Sequence, residues 1–190
     1  MRYCGAAKMT ELKKQLQAID LNPKRPKNEV NQEVADILES AGYFVGIMDF
    51  GRPWGGFNQV EDSNADKFLE DFFTGLTPKE ARLGNPDLKL SPKILIVAPG
   101  QRLSWQYHNL RAERWVYLTK GAFFKSLDDN QGKIQQAKAG DVVQFQKSER
   151  HRLVGAPDQY TLVAEIWQHV DPANPSYEND IVRLADDYKR

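Results

Sequence analysis

Residues 100–115, GQRLSWQYHNLRAERW, form the stretch on which both the fold and the function depend. Gln106 and His108 alternate along a predicted strand, so their side chains point to the same face. Glu113 opens the next predicted strand, and an antiparallel return can bring its carboxylate beside them. The spacing therefore predicts a cluster of polar side chains on one face of a sheet.

A further histidine, His151, follows a later predicted strand in residues 140–153, GDVVQFQKSERHRL. Two imidazoles, one carboxylate and one amide oxygen suit zinc, manganese, iron or cobalt. Such a set leaves coordination positions open, as a catalytic metal requires. The alternative is that Gln106 and His108 form an ordinary hydrogen-bonding pair, and that His151, flanked by two arginines, is a solvated loop residue facing an anion.

The carboxy-terminal half of the chain has the pattern of an antiparallel β-structure. Short segments rich in β-branched and aromatic residues alternate with glycines at turn positions. This spacing is typical of a sandwich or barrel, so the predicted fold class is mainly β. The predicted strands are Lys93–Ala98, Arg114–Thr119, Ala122–Leu127, Asp141–Gln146 and Thr161–Trp167.

The amino-terminal part carries helix patterns. Leu12, Leu16 and Ile19 recur at helical spacing behind a cap at Thr10, and a stronger stripe runs through residues 30–41. We therefore predict a helical extension over residues 1–50 and a barrel domain over residues 51–190. A helical insertion is expected at about residues 62–90, and a short helix over residues 180–188.

Composition excludes several classes of partner. The 190 residues carry 26 Lys plus Arg against 26 Asp plus Glu, so no net field attracts nucleic acid or an anionic membrane. A single cysteine, Cys4, cannot form an internal disulfide framework or a multi-cysteine zinc site. The first residues lack the apolar core of a secretory signal, so a cytoplasmic protein is expected.

Four blocks, in order along residues 52–190, resemble the cupin superfamily and, more narrowly, the carboxy-terminal cupin domain of type II mannose-6-phosphate isomerases. That domain is often fused to mannose-1-phosphate guanylyltransferase. The blocks are Arg52-Pro53-Trp54-Gly55; residues 99–115 with Gln106-x-His108 and Arg111-x-Glu113; His151-Arg152-Leu153; and Glu178-x-Asp180-Ile181-Val182-Arg183 with Asp187-Tyr188.

The resemblance implies a jelly-roll barrel with additional amino-terminal helices and a divalent metal inside the barrel mouth. The implied metal ligands are Gln106, His108, Glu113 and His151. Zinc is the first expectation for the ion, with manganese, iron, cobalt or nickel as alternatives. The implied activity is metal-dependent aldose–ketose isomerisation of a phosphosugar, with mannose 6-phosphate and fructose 6-phosphate as the expected pair.

The resemblance also implies three cationic site residues. Arg111 and Arg183 are predicted to bind phosphate or the enediolate, and Lys93 to bind phosphate or serve as a base if burial lowers its pKa. The expected partner is a small sugar phosphate. A homodimer through sheet edges is a further expectation; the Phe-rich residues 68–73 either cover such an edge or pack in the core.

Other functions stay open beside this one. Arg114, Gln146 and Trp167 differ from the family pattern, which favours a cupin isomerase of another sugar or sugar phosphate as an alternative. A non-catalytic sugar-binding cupin and a metal-dependent oxygenase are further alternatives. Guanylyltransferase activity is not expected, because the sequence has no Gly-rich phosphate loop.

Overall fold

The structure is a computed structural model that describes residues 10–189. Its four helices are α1 (Glu11–Gln17), α2 (Lys27–Ser40), α3 (Ala65–Phe72) and α4 (Pro78–Ala81). Its strands are β1 (Val45–Asp49), β2 (Gly55–Val60), β3 (Lys93–Val97), β4 (Trp105–Tyr107), β5 (Arg111–Tyr117), β6 (Gly121–Ser126), β7 (Gln135–Ala137), β8 (Val142–Phe145), β9 (Arg150–Gly155), β10 (Thr161–His169) and β11 (Val182–Ala185).

The strands form two antiparallel sheets. The larger sheet has the order β1-β2-β3-β10-β5-β8, and the smaller one has the order β11-β4-β9-β6-β7. Sequential strands such as β4, β5 and β6 alternate between the two sheets, which is the connection pattern of a jelly roll. The predicted fold class, a mainly β cupin jelly roll with amino-terminal helices, is confirmed.

Both faces of the larger sheet are buried along β3, β5 and β10, because their side chains alternate between two separate cores. One face, which includes Ile94, Leu162 and Ile166, packs beneath the helices. The other face, which includes Leu95 and Trp115, lines the barrel interior and packs against the smaller sheet. A strand buried on both sides must be apolar throughout, as the sequence of β3 (KILIV) nearly is.

The helices cover the outer face of the larger sheet. Thr10 accepts a hydrogen bond from Lys13 N and begins α1, as its sequence predicts. Phe68, Phe72 and Phe73 are buried in the same core as the inward residues of α1 and α2. The Phe-rich residues therefore pack within the monomer rather than over a sheet edge.

The end of the chain differs from the prediction. Residues 180–188 contain strand β11 instead of the expected helix. The backbone of β11 pairs with β4, with Val182 opposite Tyr107 and Arg183 opposite Gln106. The ladder of hydrogen bonds to β4 outweighs the helical spacing of the apolar residues, which a segment of this length cannot exploit alone.

Two strands fall near the predicted domain boundary. β1 and β2 form an antiparallel hairpin that extends the larger sheet beside β3, and the boundary after residue 50 lies between them. The division into residues 1–50 and 51–190 stays a prediction. Within residues 10–189, no helix has both the length and the apolar character needed to cross a membrane.

Candidate metal centre

Both sheets contribute side chains to one polar cluster inside the barrel. β4 carries Gln106 and leads directly to His108, and β9 carries His151, whose Cα lies opposite that of Gln106. Glu113 comes from β5 of the larger sheet and faces these residues across the interior. The alternation from Gln106 to His108 that the sequence predicts places both side chains toward Glu113.

His108, Glu113 and His151 have donor atoms that converge. The Nε2 atom of His108 lies 3.1 Å from Glu113 Oε1, and that of His151 lies 3.2 Å from Glu113 Oε2. All three ligand atoms lie within 4.8 Å of one another, and each residue is buried. A tetrahedral first-row ion with bonds of about 2 Å separates its ligand atoms by roughly 3.3 Å, so the spacing fits a metal site.

The outer nitrogens of both histidines are held by backbone carbonyls. His108 Nδ1 contacts the carbonyl oxygen of Asp180, and His151 Nδ1 lies 2.9 Å from that of Glu149. A carbonyl only accepts, so each Nδ1 carries a proton, and in the neutral imidazole each Nε2 then presents a lone pair to the cluster. This is the arrangement by which proteins orient metal-binding histidines.

The resulting contact between His151 and Glu113 joins two acceptors. His151 Nε2 is buried and has no hydrogen-bond partner, although Glu113 Oε2 lies 3.2 Å away. Lone pairs on imidazole and carboxylate repel each other unless a cation lies between them. This unpartnered atom is therefore the observation by which the cluster fits a metal ion.

The protonation states also suit metal binding. Burial lowers the pKa of His108, although the nearby Glu113 carboxylate opposes that shift, so the imidazole favours its neutral form. Burial alone would raise the pKa of Glu113, but neighbouring positive charge, which the Arg111 guanidinium always supplies, holds it well below its ordinary value. A neutral imidazole and an ionised carboxylate are the forms that ligate a metal.

Gln106 lies beside this cluster. Its Oε1 accepts a hydrogen bond of 2.5 Å from Ser104 Oγ, and its Nε2 lies 3.4 Å from His108 Nε2. An amide nitrogen does not ligate a metal, so ligation by Gln106 requires rotation of the amide to exchange its oxygen and nitrogen. Its assignment as the fourth ligand stays a prediction.

Arg111 is buried against the cluster. Its Nε donates to Glu113 Oε1 at 2.8 Å, and another of its nitrogens lies 3.2 Å from His108 Nε2. A third nitrogen donates to Ser176 Oγ at 2.8 Å, and the guanidinium stacks 3.6 Å above the ring of Trp167. The arginine is thus fixed beside the carboxylate rather than free to reach a distant phosphate.

Lys93 and Arg183 line the same cavity as Arg111. Lys93 is buried, pairs with Glu178 and holds its ammonium 3.8 Å from the centre of the Trp167 ring. Arg183 is exposed on β11. With Arg52, they border a cavity of about 750 Å³, including its open mouth, whose wall also contains Glu113. The structure thus brings the predicted cations around one cavity that reaches the metal cluster.

Glu165 belongs to the same cavity and was missed by the sequence analysis as a site residue. Its two carboxylate oxygens accept hydrogen bonds from Trp115 Nε1 at 2.9 Å and from Trp167 Nε1 at 3.1 Å. Burial raises its pKa to about 7, with a further contribution from the charge of Glu113. The feature of the sequence that could have indicated a site residue is the single acidic side chain within the otherwise apolar start of β10.

The two facing antiparallel sheets and the histidines inside the barrel mouth form a cupin arrangement. The chain has the cupin fold. No protein-family model and no curated protein sequence matches it. The fold therefore stands on the topology of the two sheets.

Three solved structures illustrate the similarity to known proteins. The capsular polysaccharide assembling protein CapF from Staphylococcus aureus is 15% identical with a TM-score of 0.47, over 73% of this chain and 34% of that one. This chain thus spans about a third of the length of CapF. A cupin 2 conserved barrel domain protein from Salinispora arenicola is 26% identical with a TM-score of 0.36, over 44% and 65% of the two chains. The DMSP lyases RdDddP and RnDddQII give 13% identity and a TM-score of 0.46, over 92% and 77%.

Proposed function

We propose that the protein is a metal-dependent aldose–ketose isomerase of phosphosugars that interconverts mannose 6-phosphate and fructose 6-phosphate. The observation that carries this proposal is a cavity whose wall contains both Glu113, the carboxylate of the His–Glu–His cluster, and several cationic side chains. In an anionic substrate with a carbonyl group, the carbonyl would interact with the metal cluster and the anionic group with the cationic side chains.

His108, Glu113 and His151 would hold the ion, with Gln106 as a fourth ligand after rotation of its amide. Zinc is the first candidate for this ligand set, and manganese, iron, cobalt or nickel are alternatives. A divalent ion bound there would polarise the sugar carbonyl and stabilise negative charge on the enediolate oxygen.

The three cations take different roles in this proposal. Arg111 is buried, lines the cavity and is fixed against Glu113, so it suits the oxygen of the enediolate. Arg183 is exposed at the mouth and suits the phosphate. Lys93 is buried and paired with Glu178, so phosphate binding there requires exchange of one anion for another.

A second candidate function is a metal-free, sugar-binding module. The observation that favours it is the position of Arg111, which lies 3.2 Å from His108 Nε2, the atom through which that histidine would bind an ion. In this alternative the guanidinium occupies the place of the metal and the cavity binds a sugar phosphate without turnover. A homodimer remains a prediction under either function.

The test is the conversion of mannose 6-phosphate to fructose 6-phosphate by purified protein of measured metal content, with and without chelator. Unphosphorylated mannose is the matched substrate control. Turnover that is lost with chelator and depends on the phosphate supports the isomerase. Bound metal without turnover of this substrate redirects the assignment to another sugar phosphate, and absence of both metal and turnover supports the binding module.

A further inference from the structure

Glu165 occupies a central place on the inner face of the larger sheet. In the β-ladder its Cα lies opposite that of Lys93 on β3 and that of Trp115 on β5. In the next inward-facing rung, Trp167 lies opposite Glu113. Because inward residues recur every second position, Glu165 lies one inward rung away from Glu113 on the neighbouring strand. The register thus places its carboxyl group beside the metal cluster but outside it.

The carboxyl group of Glu165 is oriented by neutral donors. Trp115 and Trp167 each donate an indole N–H to one of its oxygens, at 2.9 Å and 3.1 Å. Among residues 10–189, no lysine, arginine or histidine lies within ion-pair distance of these oxygens. Lys93 pairs instead with Glu178, and Arg111 with Glu113. Each oxygen keeps a lone pair, and the residue lines the cavity wall.

A buried acidic group without a counter-ion is costly for stability, so its presence calls for an explanation. An apolar residue would fill this position of β10, as Val163 does in the preceding inward position. The two indole donors restrict the carboxyl group to one orientation without neutralising it. This combination of fixed geometry and basicity is what proton transfer to and from carbon requires.

We propose that Glu165 is the base that moves the proton between C2 and C1 of the sugar. This inference rests on the proposed isomerase function. The C2–H bond of the aldose breaks and the proton passes to the Glu165 carboxylate, while the electron pair forms the C1–C2 double bond and charge moves to O1. A proton then passes from the Glu165 carboxyl group to C1, after exchange with solvent in a fraction of turnovers, the O2 proton passes to O1, and the C2 carbonyl forms. No oxidant or reductant is needed.

The other candidates for this role are already engaged. Glu113 has one oxygen 2.8 Å from Arg111 Nε and the other directed at His151, so neither is open to a substrate carbon. Lys93 is held in its pair with Glu178. Glu178 is engaged in that same pair, so among residues 10–189 Glu165 is the acidic residue of the cavity wall that has no ion-pair partner and can accept a proton.

The experiment compares wild type, Glu165→Gln and Glu165→Asp, with Asp158→Asn as a control that removes an exposed ion pair with Lys120. Turnover of mannose 6-phosphate is measured in D2O, together with deuterium in the product by NMR. Metal content and the binding of mannitol 6-phosphate, which has no carbonyl and cannot isomerise, report on the intact site.

We expect Glu165→Gln to lower kcat by about 10²–10⁴-fold and to abolish deuterium incorporation. Metal content and mannitol 6-phosphate binding should stay within about twofold of wild type. Glu165→Asp retains the acid but withdraws it by one methylene group, so it should bind equally well and turn over more slowly than wild type but faster than Glu165→Gln. The aspartate variant keeps the test valid if the glutamine variant does not fold.

Two results would overturn the proposal separately. If wild type isomerises the substrate and Glu165→Gln retains turnover and deuterium incorporation, Glu165 is not the base although the isomerase function stands. The same conclusion follows if kcat falls only together with metal content or mannitol 6-phosphate binding, because the residue is then structural. If wild type itself turns over no mannose 6-phosphate, the isomerase function fails, and the role of Glu165 fails with it.

Discussion

The two faces of the larger sheet are both buried along β3, β5 and β10, yet they differ in chemistry. The face under the helices is apolar along β3 and β10, where it presents Ile94, Leu162 and Ile166. The face inside the barrel is apolar at one end and carries Lys93 and Glu165 toward the other. Successive residues of β3 and β10 therefore point to opposite faces. Those under the helices stabilise the fold, and those inside the barrel line the cavity.

The two faces contribute differently to the free energy of unfolding. Burial of apolar surface contributes about 25 cal/mol per Å², so the face under the helices stabilises the fold directly. Buried charged and acidic groups inside the barrel must be paired or hydrogen-bonded to avoid a large desolvation cost. Arg111 and Glu113 meet this condition by pairing, and Glu165 meets it in part through two indole donors. We expect substitutions on the two faces to separate stability from function.

The largest expected effect on stability is in the core under the helices. Phe68 is fully buried and its ring packs against those of Tyr43, Phe72 and Phe73. Phe68→Ala should lower the free energy of unfolding by about 3–5 kcal/mol without changing the metal content of the folded protein. Phe44→Ala is the matched control, because that ring is 68% exposed, and should change stability little. Denaturant unfolding measures both; equal effects of the two variants would contradict the assignment of this core.

The next effect concerns the pH dependence of stability on the inner face. The pKa of Glu165 is about 7 in the folded protein, chiefly because of burial, against an ordinary value of 4.5. Between these values the folded chain keeps a proton that the unfolded chain has released, so the free energy of unfolding falls as the pH rises. This contribution, up to about 3 kcal/mol, is absent from Glu165→Gln.

Denaturant unfolding of chelator-treated protein at pH 5 and pH 8 checks this prediction. The stability of wild type relative to Glu165→Gln should be lower at pH 8 than at pH 5. A difference that does not change with pH would show that the carboxyl group of Glu165 titrates normally.

A smaller effect is expected from the support of His108. The Asp180 carboxylate accepts hydrogen bonds from Asn109 N, Leu110 N and Ser176 Oγ, and these fix the backbone carbonyl that holds His108 Nδ1. Asp180→Ala should lower metal affinity by about 10–100-fold, equivalent to about 1.4–2.7 kcal/mol.

Competition with a metal-binding dye provides the measurement for Asp180→Ala. The control is Asp171→Ala, an exposed acidic residue whose side chain accepts from Ala173 N within the same chain segment. An equal loss of affinity in both variants would assign the effect to the segment as a whole rather than to the support of His108.

Much of the fold was predictable from local pattern. Glycine-punctuated runs of β-branched and aromatic residues indicated the strands from β3 onward, because each such run has one or two buried faces. Residues 180–188 were predicted wrongly as a helix. Their apolar spacing fits helical periodicity, but the pairing of β11 with β4 depends on residues about 75 positions earlier in the chain.

For the candidate site, the sequence predicts only those features that follow from the spacing of residues along one strand. The alternation of Gln106 and His108 predicts that they share a face, but the approach of His151 to Glu113 depends on the packing of two different sheets. Glu165 was missed because its contacts arise from the register of β10 between β3 and β5. No short motif encodes that register. The spacing of Arg111 and His108 in the sequence likewise does not predict the contact between their side chains.

The central claim is that His108, Glu113 and His151 hold a divalent ion. Metal stoichiometry after equilibrium dialysis against zinc, manganese, iron, cobalt and nickel in turn tests it most directly, with Glu113→Gln and the control Asp158→Asn measured in parallel. We predict close to one ion per chain in wild type and in Asp158→Asn, and loss of binding in Glu113→Gln. Absence of bound metal in wild type, or equal binding by Glu113→Gln, would contradict the claim.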